Sequence, residues 1–543
     1  MTTLPERSNI DHLRKQAKEL LRLYRHHNPA AFERLRHALP VARAKSDAEL
    51  ISLDLRLHDM QSCIARELGF ASWAELKSAV ELQALRTKGP GLLHYWLYLV
   101  YSGDITGSTF GARPQLAARL LTERPDLVQG DPWLACTIGD EDTVRAAIVT
   151  DPAWIHAAGG PLKLPPLVAV THSSLLRLDM FRERLHRCAK LLLQAGASPN
   201  QSIGNRRPPH SPDNPGDDRF TAIYGTAGQN HDAQLTKVLL DAGADPNDNE
   251  SLYHSIPHLD CMRVLLDGGT HIEGTNSLGR SLDFSDPAPL SLLLEHGADP
   301  NSLVSGTTHP LIWAIHRGRS AAHVKLLLEA GADPSAKGHQ GVSAYRLALL
   351  NGLTEAADLL ERAGAAHALS KEDLFVAACA RGDEEAARRL QAERPDLPAS
   401  LSVHYQALLA LAAFNNRDAA VKTMVQLGWP IAARGADIGG SALNCAVFQG
   451  NAALTRFLLE HGASWRERHN YDSDVLGTLC WASCNRPAEN GDWLGCAKAL
   501  VEHGLPRAQR PPGSDPDELP RYVIIDGRKE EFPEDITALL LNE

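Results

Sequence analysis

The chain has 543 residues, 43% hydrophobic and 22% charged, with a formal net charge of −11. That length exceeds one compact core, so several domains or one extended array are both open, and the composition is that of a folded chain rather than a disordered one. An acidic balance argues against general nucleic-acid binding, which wants a basic surface.

The opening MTTLPERSNIDHLRKQ is polar and lacks the apolar run of a secretory signal. Residues 8–86 read as a small helical unit, with Ile10, Leu13, Ala17, Leu20, Leu21 and Tyr24 on one helical face. Asn28-Pro29 supplies a cap and a first-turn proline for the next helix, and Ser72 with Glu75 forms a capping box for another. Residues 1–90 hold 15 Lys and Arg against 11 Asp and Glu, a net of +4, which is weak for a face that touches nucleic acid or an acidic partner and reads rather as a solvated helical surface. LLHYWLYLVY at 92–101 is too short to span a bilayer and predicts a buried helix. The nine cysteines are scattered and odd in number, which fits free thiols in a reducing cytoplasm.

Further along, one phrase recurs: LLDAGADPNDN at 239–249, LLLEHGADPNS at 292–302 and LLLEAGADPSA at 326–336. Its glycine marks a series at 196, 243, 269, 297, 331, 428, 462 and 504, each preceded three and four residues earlier by apolar side chains. The steps include 34 from 297 to 331 and 34 from 428 to 462, and the 97 from 331 to 428 holds about three units, with Gly364 inside it. A period near 33 predicts a solenoid, because one such unit cannot bury its apolar face alone. Each glycine closes a helix in the left-handed conformation, and Asp-Pro or Ser-Pro then turns the chain outward. His296, His461 and His503 fall in the last turns, where positive charge suits the helix dipole.

A first helix is expected before each marker, at 221–230, 309–318, 343–352 and 441–450. The segments 133–148 and 374–390 look like units without the glycine phrase, and the latter is followed by ERPDL at 393–397, the ending also of LLTERPDL at 120–127. Residues 161–190, 201–219 and 484–493 interrupt the period, and the second of these is too polar to be buried. After 505, a hairpin around Asp526-Gly527 and a helix in FPEDITALLL are expected to cover the end of the stack.

The paired motifs and their period resemble the ankyrin repeat from about 130 to 505. The segments LRKQAKELLR and IARELGFASWAELK resemble a helical module that precedes such arrays in some bacterial proteins. The resemblance implies an all-α ankyrin-repeat solenoid of stacked helix-turn-helix units behind an N-terminal small helical domain. The expected divisions are 1–90, a 91–505 array of ten or eleven repeats, and a 506–543 tail. It also implies a non-catalytic scaffold that binds a protein partner through its concave groove and loop tips, without membrane insertion.

By the same resemblance, the two residues before each closing glycine face the groove. They are His316 and Arg317, Leu350 and Asn351, Ala380 and Arg381, Phe414 and Asn415, and Phe448 and Gln449, with Gln229 upstream. Phe414 and Phe448 lie 34 residues apart, so they are neighbours, either as an exposed hot spot or as core where the groove closes.

No phosphate-binding loop, dinucleotide fingerprint, HExxH or Gly-x-Ser-x-Gly appears, and no cofactor is expected. The alternative is an enzyme or metal protein that uses the insertions or Cys480, Cys484 and Cys496, with His461, His469 and His503 nearby. A third reading is delivery into a host cell.

Overall fold

Two sets of helices, Met1–Ser277 and Leu278–Glu543, make most of their contacts within themselves. The computed structural model describes residues 10–543 apart from 40–41, 44, 54, 56, 69, 71–72, 74–75, 77–79, 81–90, 109–110, 257, 339–340, 487–490, 515–518, 521 and 543.

Within 1–277, the chain begins with helices Ile10–Arg25, Pro29–Ala38, Asp47–Ser52 and Leu57–Glu67. Leu13, Ala17, Leu20, Phe32, Leu35, Met60 and Ile64 make one buried cluster, and the Tyr24 hydroxyl donates to Leu50 O at 2.7 Å. The Asn28 side chain accepts from Ala30 N, as its position before Pro29 predicts. The box at 72 and 75 lies outside the described residues. Residues 92–100 are indeed a buried helix, Gly91–Val100, with Trp96, Leu97 and Val100 inside.

Helix pairs follow at Pro132–Ile138 with Glu141–Thr150, Pro166–Thr171 with Asp179–Gln194, Tyr224–Gln229 with Ala233–Asp241, and Ser251–Ser255 with Leu259–Asp267. First helices pack on first helices, and Glu141–Thr150 packs on Asp179–Gln194 and Ala233–Asp241 on Leu259–Asp267 as second helices, which is how these pairs hide their apolar stripes. The irregular stretch before 190 resolves into the long second helix Asp179–Gln194, whose first half is FRERLHR.

Two local expectations change. Residues 224–229 form a π-helix rather than an α-helix. Gly225 is pressed so close to the previous pair that a Cβ there would lie 2.5 Å from His172 Nδ1 and 2.8 Å from Thr171 O. The loop 201–219, expected to stay outside, is pinned by a short ladder of Ser202–Gly204 on Arg219–Thr221 and by a buried Arg206. The Arg206 guanidinium donates to Leu162 O at 2.6 Å and to Ile105 O at 3.3 Å, so backbone carbonyls stand in for water.

Within 278–543, the first helices Pro310–His316, Ala344–Leu350 and Lys371–Arg381 pack in series. Ala288–Glu295, Ala321–Glu329 and Thr354–Arg362 do likewise as second helices. The register then shifts, because helix 371–381 packs against Asp418–Gln426, the second helix of the next pair. A second series runs through Leu408–Phe414, Ala442–Phe448 and Val475–Asn485, with Ala452–Glu460 and Trp493–Glu502 behind.

All eight marker glycines have positive φ, from 86° to 99°, the conformation a helix-closing glycine supplies. The three histidines before them act through a specific bond. Their Nδ1–H groups donate to Leu292 O, Phe457 O and Ala499 O at 2.9, 2.8 and 2.8 Å, adding a second donor to carbonyls that also accept each histidine's own backbone N–H. The tail forms the hairpin Val523–Ile525 with Arg528–Glu530, and helix Glu534–Leu541 packs on Trp493–Glu502, closing that end of the stack.

Candidate functional site

The second series of 278–543 ends its first helices in LLALAAF, ALNCAVF and VLGTLCWASCN. Small residues at the buried positions let these helices approach closely, and Ser441 and Asp474 cap the second and third through Asn444 N and Gly477 N. Each helix then carries one large aromatic at a fixed place: Phe414, Phe448 and Trp481, at steps of 34 and 33. The rings stack as a ladder, Phe414 to Phe448 at 5.7 Å and 19°, Phe448 to Trp481 at 5.6 Å and 6°. These are offset-stacked separations.

Polar side chains bolt the ladder to the backbone. Gln449 Nε2 donates to Phe414 O at 2.6 Å, and Gln449 Oε1 accepts from Arg486 Nη2 at 2.8 Å. The Arg486 guanidinium lies 4.7 Å over the Phe448 ring. Burial lowers the Arg486 pKa from its usual range, and its Nε is enclosed with no acceptor among the described residues.

Opposite stands a wall built on residues 283–285 and 317–320. Arg317 lies 4.4 Å over Trp313, bonds Asp437 and sits 3.4 Å from Asp283. Arg319 Nη2 donates to Arg317 O at 2.8 Å. Asn415 Nδ2 reaches His316 O at 3.5 Å, so the two walls meet at that end. Between them lies a cleft of about 1280 Å³, with Ile438, Gly477 and Thr478 also in its lining. Trp481 is 54% exposed and Tyr471, also on the lining, is 73% exposed.

Of the expected groove residues, Arg317, Phe414, Asn415, Phe448 and Gln449 come together in this cleft. Phe414 and Phe448 are half-buried and rest on the core, so each ring has a packed side and an open one. The other six lie elsewhere, Ala380 among them, which is buried. Leu350 and Asn351 are buried, at 6% and 8% exposure, which corrects their expected place on an open surface. Helix 371–381 and the shifted pair after it cover them. Arg381 is exposed and lies 3.8 Å from Asp383, away from the cleft lining. His316 turns inward to stack on Trp313 at 5.9 Å, and burial lowers its pKa. Gln229, in 1–277, donates to the buried carboxylate of Asp104.

Trp481, Tyr471, Arg319 and Arg486 escaped the sequence reading. A step of 33 from Phe448 points to Trp481, but its helix runs on to Asn485 and lacks the closing glycine that marked the others.

The cysteine set does not assemble. Cys496 is buried against the Thr455 hydroxyl at 3.5 Å, whereas Cys480 and Cys484 both donate to Glu531 O, at 3.1 and 3.5 Å. Burial pushes the Cys480 and Cys496 thiols up to about 12, opposite to what a metal-ligating thiolate needs. Among the described residues, no group of three His, Cys, Asp or Glu could hold a metal ion, and no helix is long and apolar enough to cross a membrane.

The family model of the ankyrin repeat matches residues 308–339, the pair that carries Arg317. No curated protein matches the chain significantly. Among solved structures, the human ASB11 ankyrin repeat domain is 20% identical, over 42% of this chain and 99% of that one, with a TM-score of 0.20. The ankyrin repeat domain of Bcl-3, a member of the IkappaB protein family, is 22% identical, over 37% of this chain and 92% of that one, with a TM-score of 0.18. The fold assignment rests on the helix pairs, their glycine caps and the matched repeat rather than on these two likenesses. With a matched repeat at 308–339 and stacked helix-turn-helix pairs of the same design around it, this is an all-α ankyrin-repeat solenoid.

Proposed function

We propose that the chain is a non-catalytic interaction module that takes a segment of a protein partner into the cleft of residues 278–543. The observation that carries this reading is the aromatic ladder of Phe414, Phe448 and Trp481 at the edge of a cleft broad enough for a peptide chain. Large aromatics beside an arginine are the residues in which binding energy concentrates, and a half-buried ring costs little entropy to immobilise further. Trp481 and Tyr471 are two of only eight large apolar side chains that stand exposed among the described residues, and both face this cleft. Exposed aromatic surface gathered in one place marks a contact site more than scattered exposure does.

Affinity purification of the full chain with mass spectrometry tests the reading. Replacing Trp481→Ala together with Tyr471→Ala is expected to lower capture of specific partners roughly tenfold or more. Both side chains are exposed, so the circular dichroism melt should stay where it is. An unchanged set of captured proteins would exclude the cleft as the contact surface.

A further inference from the structure

The chemistry of the cleft says what kind of segment fits it, given the docking reading above. The ladder rings are stacked on one another, and Arg486 covers part of the Phe448 face. Phe448, stacked on both sides and covered by Arg486, therefore offers no open face to a cation, and the exposed Trp481 at the end of the ladder is stacked only on Phe448 among the described residues. The charges point the same way. Three arginines and two aspartates line the cleft, and both aspartates lie on Arg317. Arg319 and Arg486 bond only to carbonyl or amide oxygens among the described residues. In a chain of net charge −11, the lining is thus locally cationic. Burial also disfavours the charged form of both arginines, a cost that an arriving carboxylate relieves.

We infer that the occupant is an acidic linear peptide segment, in which an aromatic or large aliphatic side chain extends the ladder at Trp481 and a neighbouring Asp or Glu carboxylate seats on Arg486. Arg486 already lies over Phe448 and is held by Gln449 through Nη2, so its guanidinium is oriented before the carboxylate arrives. A basic segment would meet two aspartates already neutralised and two arginines opposed to it. A single-stranded nucleic acid would need several open ring faces and a far more positive lining.

The test is selection of random dodecapeptides displayed on phage against the immobilised full chain. Enrichment of Asp and Glu beside Trp, Phe or Leu is expected. Arg486→Glu should turn that preference toward Lys and Arg, while Arg486→Lys keeps it. For the selected peptides on the unaltered protein, affinity should fall at least several-fold from about 50 to 500 mM salt, a readout independent of any variant's folding. Neutral or basic winners, an acidic preference that survives Arg486→Glu, or the failure of any peptide to be selected would overturn the inference and leave the docking reading intact. So would tight binding of labelled oligo(dT), or a doubled solution mass abolished by Trp481→Ala. Selected peptides that bind equally well to the Trp481→Ala, Tyr471→Ala protein would instead sink the docking reading.

Discussion

Gln229 in residues 1–277 and Gln449 in residues 278–543 are the same residue at the same place in a helix pair, just past or at the end of the first helix. Gln229 donates to Asp104, a carboxylate only 3% exposed, and its helix is drawn so tightly onto the previous pair that His172 beneath it is fully enclosed. Gln449 bonds one ladder step to the next, and its surroundings open into the cleft. The difference lies in what faces each residue. A buried acid from an earlier helix closes the first, whereas the register shift after helix 371–381 leaves room before the second. Repeat position alone therefore does not decide whether an inner residue meets a partner or the protein itself.

The sharpest way to break this comparison is to spoil the close approach at the closed end. Gly225→Ala is expected to destabilise residues 1–277 by about 3 kcal/mol or more, because its Cβ would meet His172 and the backbone of Thr171. Hydrogen exchange over 166–230 should rise while exchange over 408–485 stays level. A loss below about 0.5 kcal/mol would mean that the two pairs are not tightly apposed.

The two glutamines give a matched pair of smaller effects. Gln229→Ala removes a donor from a buried carboxylate and should cost about 2 kcal/mol, whereas Gln449→Ala, half-exposed, should cost about 0.5 kcal/mol. Chemical denaturation of each variant measures both, and equal costs would erase the distinction between a closed end and an open one.

Acid should act on the closed end as well. The His231 ring stacks on His258 at 3.5 Å, and burial, then that neighbouring imidazole, pulls the pKa of His231 down to about 4. Arg177 and His254 act in the same direction, and the bond to Ala227 O opposes them. Burial likewise lowers His172, against the opposing charge of Asp104. A histidine held below its free value of about 6.5 is protonated first in the unfolded chain. Stability is therefore lost as pH falls from about 6.5 toward 4 and levels off below that. Protection of 1–277 against exchange should decline through this window, and His231→Gln should make the decline shallower. A variant with the same slope would remove His231 as its source.

Much of the backbone was legible because its causes are local. The glycine caps at 243, 297, 331 and 462 need only a residue that tolerates positive φ. Asp526-Gly527 turns its hairpin with both residues at positive φ, 50° and 77°. The two ERPDL corners share a local fork, Arg124 onto Asp126 and Arg394 onto Asp396. The site was legible only in part. Phe414 and Phe448 follow from the period, but Leu350 and Asn351 hold the same period and are buried.

Sequence by itself determined the helix pairs, their closures and the spacing that stacks one aromatic above the next, since hydrophobic period, capping chemistry and glycine freedom act within a few residues. Tertiary structure alone decided the shift at helix 371–381, the burial of 350–351, the inward turn of His316 and the separation of Cys496 from Cys480 and Cys484. Each of these depends on which surface arrives opposite a residue from dozens of positions away. No local preference carries that information, because it is set by how whole helices pack.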